Sequence, residues 1–136
     1  MSQIPPEGTI SYEYSLTVLE KDLDALNHVN NVVYLQWVND ISEKHWNRLA
    51  SEAIRKKYFW VVLRHEIDYL NQARLGEEVR IVTWVGESRG VRSVRHVHMS
   101  VNERELIKAS STWCLIEAAT QRPTRIREDI LNLLTP

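Results

Sequence analysis

The sequence predicts an α+β domain in which one long helix lies against an antiparallel sheet that wraps it. Three observations predict it. Apolar residues alternate with polar ones in the segment up to Val18 and again from Tyr58 onward, the period of a half-buried strand. Between those stretches the apolar spacing lengthens to three and four residues, the period of a helix face. The later strands are joined by short turns, which only antiparallel neighbours tolerate.

Taken in order, Ile10 to Val18 places Ile10, Tyr12, Tyr14, Leu16 and Val18 on one face of a first strand. A polar segment, Glu20 to Asn31, follows. Tyr34, Val38, Ile41, His45 and Leu49, flanked by Trp37, mark a helix predicted from about Asn31 to about Arg55. Asn30 is its expected N-cap, because its side-chain oxygen can accept from a free backbone N–H. Arg55, Lys56 and Lys57 gather at the other end, where positive charge suits the helix dipole. Tyr58 to Leu70 is a second strand, with Val61, Leu63, His65, Ile67 and Tyr69 expected on one side. Ala73 to Glu77 reads as a turn around Gly76. Val79 to Val85, Val91 to Val101 and Leu106 to Ile116 are three further strands, and the tail holds a short amphipathic piece around Ile130, Leu133 and Leu134. Such a sheet leaves a face and its edges partly uncovered, and Trp60, Val62, Val82 and Trp84 sit at mixed parity. This points to a dimer.

The 136 residues read as one domain, 1–136, with no linker, repeat or low-complexity tract. A net charge of -1 and a pI near 6.5 give no basic footprint for nucleic acid. The lone Cys114 excludes an intrachain disulfide and suits a reducing, cytoplasmic setting. The start, Met-Ser-Gln-Ile-Pro-Pro, lacks the pattern of a secretory signal, and no apolar run is long enough to insert in a membrane.

Chemistry concentrates just before the helix. Asp22, Asp24, His28 and three Asn side chains fall between residues 22 and 31. By themselves these residues give a carboxylate beside an anion-friendly helix start; acyl hydrolysis at such a place would need the carboxylate to attack a carbonyl or deprotonate water. It also needs backbone donors for the oxygen that becomes negative, and the first turn of a helix supplies them. The same residue types also serve simply as caps and turn formers. Elsewhere, Arg89, Arg92 and Arg95, with Gly90, form a basic cluster around a turn, either a solvated surface or a clamp for phosphates. His96 and His98 share a strand face, but a zinc site wants a third ligand and none is evident, so no metal is expected. His45 and His65 read as satisfied core or interface residues, and Cys114 as a small buried one. Gly86-Glu87-Ser88-Arg89-Gly90 has the letters of Gly-x-Ser-x-Gly but joins two predicted strands, where a nucleophile elbow needs a strand followed by a helix, and no phosphate-binding glycine loop is present.

The run Asp22-x-Asp24-Ala25-Leu26-x-His28-Val29-Asn30-Asn31-x-x-Tyr34-Leu35 resembles the signature of the hydroxybenzoyl-coenzyme A thioesterase family of hotdog proteins. The order of elements is similar over nearly the whole chain, as is the Thr-Trp-Cys-Leu-Ile strand followed by Arg122-Pro123-Thr124. The resemblance implies a hotdog fold and an acyl-CoA thioesterase that releases a free acid. By position, Asp24 is the catalytic carboxylate and Asn31 the residue whose backbone N–H polarises the thioester carbonyl. His28, Asn30 and Tyr34 line the site, and Arg89, Gly90 and Arg92 are expected to hold the coenzyme A phosphates, as relatives bind the nucleotide with basic residues of the sheet. Separately, the place of Trp37 on the helix suggests a wall of the acyl pocket. Coenzyme A enters as part of the substrate, and no separate cofactor is implied. Where relatives carry a helix-borne Glu, this chain has Asn39-Asp40, so that role has no obvious bearer. Asp24 acts either as nucleophile, through a mixed anhydride, or as base toward water. The resemblance also implies a homodimer or homotetramer with the site between subunits. A thioesterase acting on acyl carrier protein uses the same chemistry and stays open, and so does a non-catalytic acyl-binding hotdog protein.

Overall fold

The computed structural model describes residues 4–136, so Met1, Ser2 and Gln3 of the N-terminal segment read above lie outside the described residues. Strand β1 (Ser11–Thr17) leads through a single 3-10 turn (Glu20–Asp22) to helix α1 (Asn31–Leu49). A short helix α2 (Glu52–Lys57) follows, then β2 (Tyr58–Tyr69), β3 (Glu78–Arg89), β4 (Arg92–Val101) and β5 (Arg104–Glu117). A two-residue strand β6 (Arg122–Pro123) and helix α3 (Glu128–Leu134) close the chain. All pairings are antiparallel, and the sheet order is β1-β3-β4-β5-β2 with β6 beside β5.

The long helix is shorter than its apolar stripe predicts. It stops at Leu49 because Ala50 turns extended, and Ser51 restarts the chain by accepting from the Ile54 N–H as the cap of α2. A Ser with a free acceptor is an N-cap as readily as a helix residue. The three basic residues therefore end α2, not α1.

The face predicted for β2 also changes partway. A register shift between Val62 and Arg64 opposite β5 inserts one residue, so parity flips. Tyr58 and Trp60 pack inward on one side of the bulge, and His65 and Ile67 on the other, whereas Val61, Leu63 and Tyr69 are exposed. The bulge has no clear signature in a run as uniformly apolar as Tyr58–Leu63.

The core forms two neighbouring clusters along α1. Tyr34, Trp37, Val38 and Ile41 pack with Val79, Ile81, Val97, Met99 and Ile107 of the sheet. Trp46 joins Val85, Leu115, Ile126, Ile130 and Leu134, so α3 caps that end. Each fully buried aliphatic side chain here contributes about 1.5–3 kcal/mol. α1 thus runs alongside β3, its N-terminus near the start of that strand and its C-terminus near the end. No described helix is long and apolar enough to cross a membrane.

Candidate active site

The segment between β1 and α1 is held by its own backbone. Val18 donates to Glu77 at 2.9 Å and accepts from Gly76 at 3.0 Å, pinning the segment to the turn before β3. The buried Asp22 carboxylate accepts from the Leu19 N–H at 2.9 Å, and its carbonyl accepts from Asn30 N–H at 2.9 Å. Asp22 is therefore a structural carboxylate. Leu23 and Val29 form an isolated antiparallel bridge, so residues 24–28 close a tight loop. Asn27 takes φ 62°, a left-handed turn position that Asn tolerates.

Asp24 sits at the base of this loop. Its N–H donates to the His28 carbonyl at 2.8 Å, and Oδ1 accepts from the N–H groups of Leu26 (2.8 Å) and His28 (3.2 Å). Oδ2 accepts no hydrogen bond among the described residues, and the side chain is half-buried. One oxygen thus fixes the loop and the other is available.

At the helix start, Asn30 is the N-cap the sequence predicts. Its side chain accepts from Val32 N–H at 3.0 Å and its carbonyl from Val33 N–H at 2.8 Å. The Asn31 N–H has no partner among the described residues, and no acidic side chain occupies the first turn. Tyr34 is only 1% exposed, and its hydroxyl accepts from the buried Ala73 N–H at 2.9 Å. Burial pushes the Tyr34 phenol above its ordinary pKa. Its oxygen is a tether for the turn before β3. A cleft of about 610 Å³ opens beside this helix start, between Asn31, Tyr34, Tyr69, Asn71, Arg74 and Arg104. Asp24 and His28 do not line it within one chain.

Arg89, Gly90 and Arg92 lie at the hairpin between β3 and β4, exposed and without an ion pair among the described residues. Gly90 takes φ 63° and its carbonyl accepts from Ile126 N–H at 2.8 Å. The eleven-residue rise of β3 separates this hairpin from the Asp24 end of the sheet by roughly 36 Å. A single chain does not bring the two groups together. Arg95 leaves the basic cluster altogether, because its parity on β4 turns it to the inner face with Ser93 and Val97. His96 and His98, on the outer face, flank Trp84 with ring centroids 5.3 and 4.7 Å away. Trp37 packs edge-on against Tyr34 in the core and lines neither cleft.

A larger cleft, about 750 Å³, lies between residues 36–47 of α1 and strands β2, β4 and β5, and the sequence reading did not find it. Trp46, Tyr58, Trp60 and Trp113 supply aromatic wall, and Arg95 is the buried charge on it. Arg95 donates through Nη1 to His45 Nδ1 at 2.7 Å and to Thr83 Oγ1 at 3.2 Å. Burial, then the charges of Arg95 and Arg48, push His45 down to about 4. It is therefore neutral at pH 7, and its Nδ1 is free to accept. Burial lowers Arg95 to about 10, which leaves it charged. The available signal was an Arg at a core-facing position of a strand that otherwise alternates cleanly.

With this geometry in hand, comparison with known proteins locates the chain. The family of acyl-ACP thioesterase N-terminal domains matches residues 9–134. A palmitoyl-acyl carrier protein thioesterase of Cuphea hookeriana is 25% identical over 136 residues, covering 98% of this chain and 30% of that protein. The chain therefore spans about a third of the length of that curated relative. A Thermus thermophilus thioesterase, solved with coenzyme A and Zn, is 25% identical with a TM-score of 0.81, covering 94% of this chain and 93% of the other. The 12:0-ACP thioesterase of Umbellularia californica superposes with a TM-score of 0.78 at 14% identity, covering 90% of this chain and 48% of that one. The fold is the hotdog fold.

Proposed function

We propose that this chain, which belongs to the acyl-ACP thioesterase N-terminal domain family, hydrolyses acyl thioesters of a phosphopantetheine carrier to the free acid. The observation that carries the reading is the loop of residues 24–28. It holds a carboxylate with one unengaged oxygen just ahead of a helix whose first N–H is unpaired. The likeness of Asp22 to Leu35 to the hydroxybenzoyl-coenzyme A thioesterase signature supports the same role for Asp24. The thioester oxygen would rest on the Asn31 N–H, where the helix dipole favours growing negative charge. Asp24 would attack the carbonyl carbon or take a proton from water that does. The carrier thiolate leaves and takes up a proton; on the nucleophilic route water then hydrolyses the mixed anhydride, releasing the acid and restoring the Asp24 carboxylate.

Two carriers suit this chemistry. Family membership supports acyl carrier protein. The exposed Arg89 and Arg92 support coenzyme A, whose phosphates such side chains bind in bidentate fashion.

The reading includes a second copy of the chain. β2 is a sheet edge that leaves Val61, Val62, Leu63 and Leu70 exposed, with Leu63 at 49%. Long apolar edges are ordinarily paired or covered. The Umbellularia thioesterase is about twice this length, which suits a site assembled from two such units. Thiol release measured over matched acyl-CoA and acyl carrier protein thioesters, with the molar mass in solution, tests the reading. Release from neither carrier by the assembled protein refutes it, and favours a non-catalytic acyl binder.

A further inference from the structure

We propose that the larger cleft recognises an acidic group on the acyl chain, so that preferred substrates carry a carboxylate remote from the thioester, paired with Arg95. The word substrate rests on the thioesterase reading above; the anion rests on the cleft alone.

Arg95 is 7% exposed, on the inner face of the sheet. Its two hydrogen bonds both run from Nη1, to neutral partners, His45 and Thr83. The Thr83 hydroxyl in turn donates to the His96 carbonyl at 2.8 Å, so that chain of bonds ends without an anion. The ion pairs among the described residues involve other side chains, and none reaches Arg95. A guanidinium has five N–H donors, and those not spent on His45 and Thr83 belong to a side chain on the cleft wall. A charge taken out of water without a counter-charge is a large cost that a merely structural Arg has no reason to incur.

Two further wall atoms are buried without a protein partner, Trp113 Nε1 and Asn39 Oδ1. An all-alkyl guest would leave both unsatisfied, whereas a carboxylate could accept from Trp113 Nε1, and the acceptor Asn39 Oδ1 would need a different partner such as water. The Arg95 and Trp113 groups are donors, and an ionised carboxylate only accepts. The remaining wall, with Trp46, Trp60, Tyr58 and Phe59, suits the apolar stretch of such a guest. The cleft follows α1 from Gln36 to Asn47, toward the end nearer the Arg89 hairpin, but its wall is aromatic and largely sheltered, unlike the exposed hairpin that suits the carrier's phosphates. That favours an acid on the acyl group as the anion.

The test compares acyl-CoA and acyl carrier protein thioesters of equal chain length, one series ending in methyl and the other in carboxylate. Wild-type kcat/KM is expected to favour the carboxylate series by about 10- to 100-fold, the range of a charge-assisted hydrogen-bonded contact. Arg95→Met should abolish the preference while sparing the methyl series. Arg95→Lys, which keeps the charge without the fork, should retain part of it and carries the comparison if the Met variant does not fold. A readout free of turnover is the melting temperature with decanoate against 1-decanol. Decanoate should raise it in wild type and not in Arg95→Met, whereas decanol should not distinguish them. If neither thioester series is cleaved but decanoate stabilises through Arg95, the acid-binding cleft stands and the thioesterase reading falls. Equal cleavage of both series in wild type and variants, with no decanoate effect, overturns the cleft proposal and leaves the thioesterase reading intact. Arg95-dependent stabilisation by inorganic phosphate and not by decanoate overturns it in favour of a phosphate site.

Discussion

The catalytic role proposed for Asp24 is separable from its part in holding the loop, and two substitutions separate them. Its Oδ1 closes the loop by accepting from Leu26 and His28, whereas Oδ2 is unengaged. Asp24→Asn keeps an oxygen in the Oδ1 position and both loop bonds. The cost to stability is therefore the difference between a charged and a neutral acceptor, about 0.5–1 kcal/mol. Asp24→Ala removes both bonds from a partly exposed turn, a loss comparable to deleting a helix cap, about 1–2 kcal/mol. In a chain of this size that lowers Tm by roughly 3–8 °C. Activity should divide differently. Neither Asn nor Ala can serve as base or nucleophile, so both variants should lose roughly 100- to 10,000-fold in kcat/KM, the range for a positioned acid–base group. Thiol release followed with a thiol-reactive dye, beside thermal melts of the same preparations, reads both quantities. Near-normal turnover in Asp24→Asn refutes the catalytic role. So does activity that falls only in proportion to Tm across the two variants, because a loop former alone would behave in that way.

Tyr34→Phe strands the buried Ala73 N–H and should cost about 1–3 kcal/mol in urea unfolding; an unchanged midpoint removes the tether. Arg89→Ala and Arg92→Ala should raise KM for acyl-CoA several-fold with little change in kcat, and the effect should shrink at high salt because these side chains are exposed. A KM equal to wild type assigns them to bare surface. His45 sits at about 4 in the fold against an ordinary 6.5. The unfolded chain therefore binds more protons between those values, so stability is full above about 6.5 and is lost as pH falls toward 4. The loss should reach about 2–3 kcal/mol. Burial lowers His65, His96 and His98 in the same sense, so the decisive comparison is the pH slope in His45→Asn, which should be flatter; an identical slope refutes the assignment.

The elements were legible wherever one local rule decided them. Period-two and period-three-or-four patterns placed every long strand and the body of α1, and Asn30 was identifiable as a cap because caps are a matter of one side chain and two N–H groups. What escaped depended on partners distant in sequence. Ser51 is the exception: it could continue a helix or start one, and its side chain took the second role by accepting from the Ile54 N–H. The bulge near Leu63 exists only as a register against β5. Strand β6 is two residues whose only signal is pairing with Ile116 and Glu117. In the candidate site, the loop before α1 was readable because its chemistry is contiguous. The Arg95–His45–Thr83 group joins three elements, and nothing in the local sequence of any one of them announces the other two.

The separation of Asp24 from the basic hairpin also bears on how many chains the proposed site would need. Within one chain, α1 runs from Asn31 beside the Asp24 loop to His45, about 21 Å along the axis, and the large cleft follows it from Gln36 to Asn47. Arg89 and Arg92 lie beyond that end. A carrier arm reaching from those arginines to the Asn31 amide of the same chain would have to run the length of the trough that an acyl group needs. Two copies joined by antiparallel pairing of their β2 edges relieve this conflict, because a two-fold axis sets the helix start of one beside the far end of the other. Mixing Asp24→Asn chains with Arg89→Ala/Arg92→Ala chains then tests the arrangement. A mixed dimer has one site with both groups intact and one with neither. At equal amounts and low substrate, random pairing should restore about a quarter of wild-type activity above that of the two variants alone. A mixture no more active than the mean of its separate components would show that each site draws its carboxylate and its arginines from one chain.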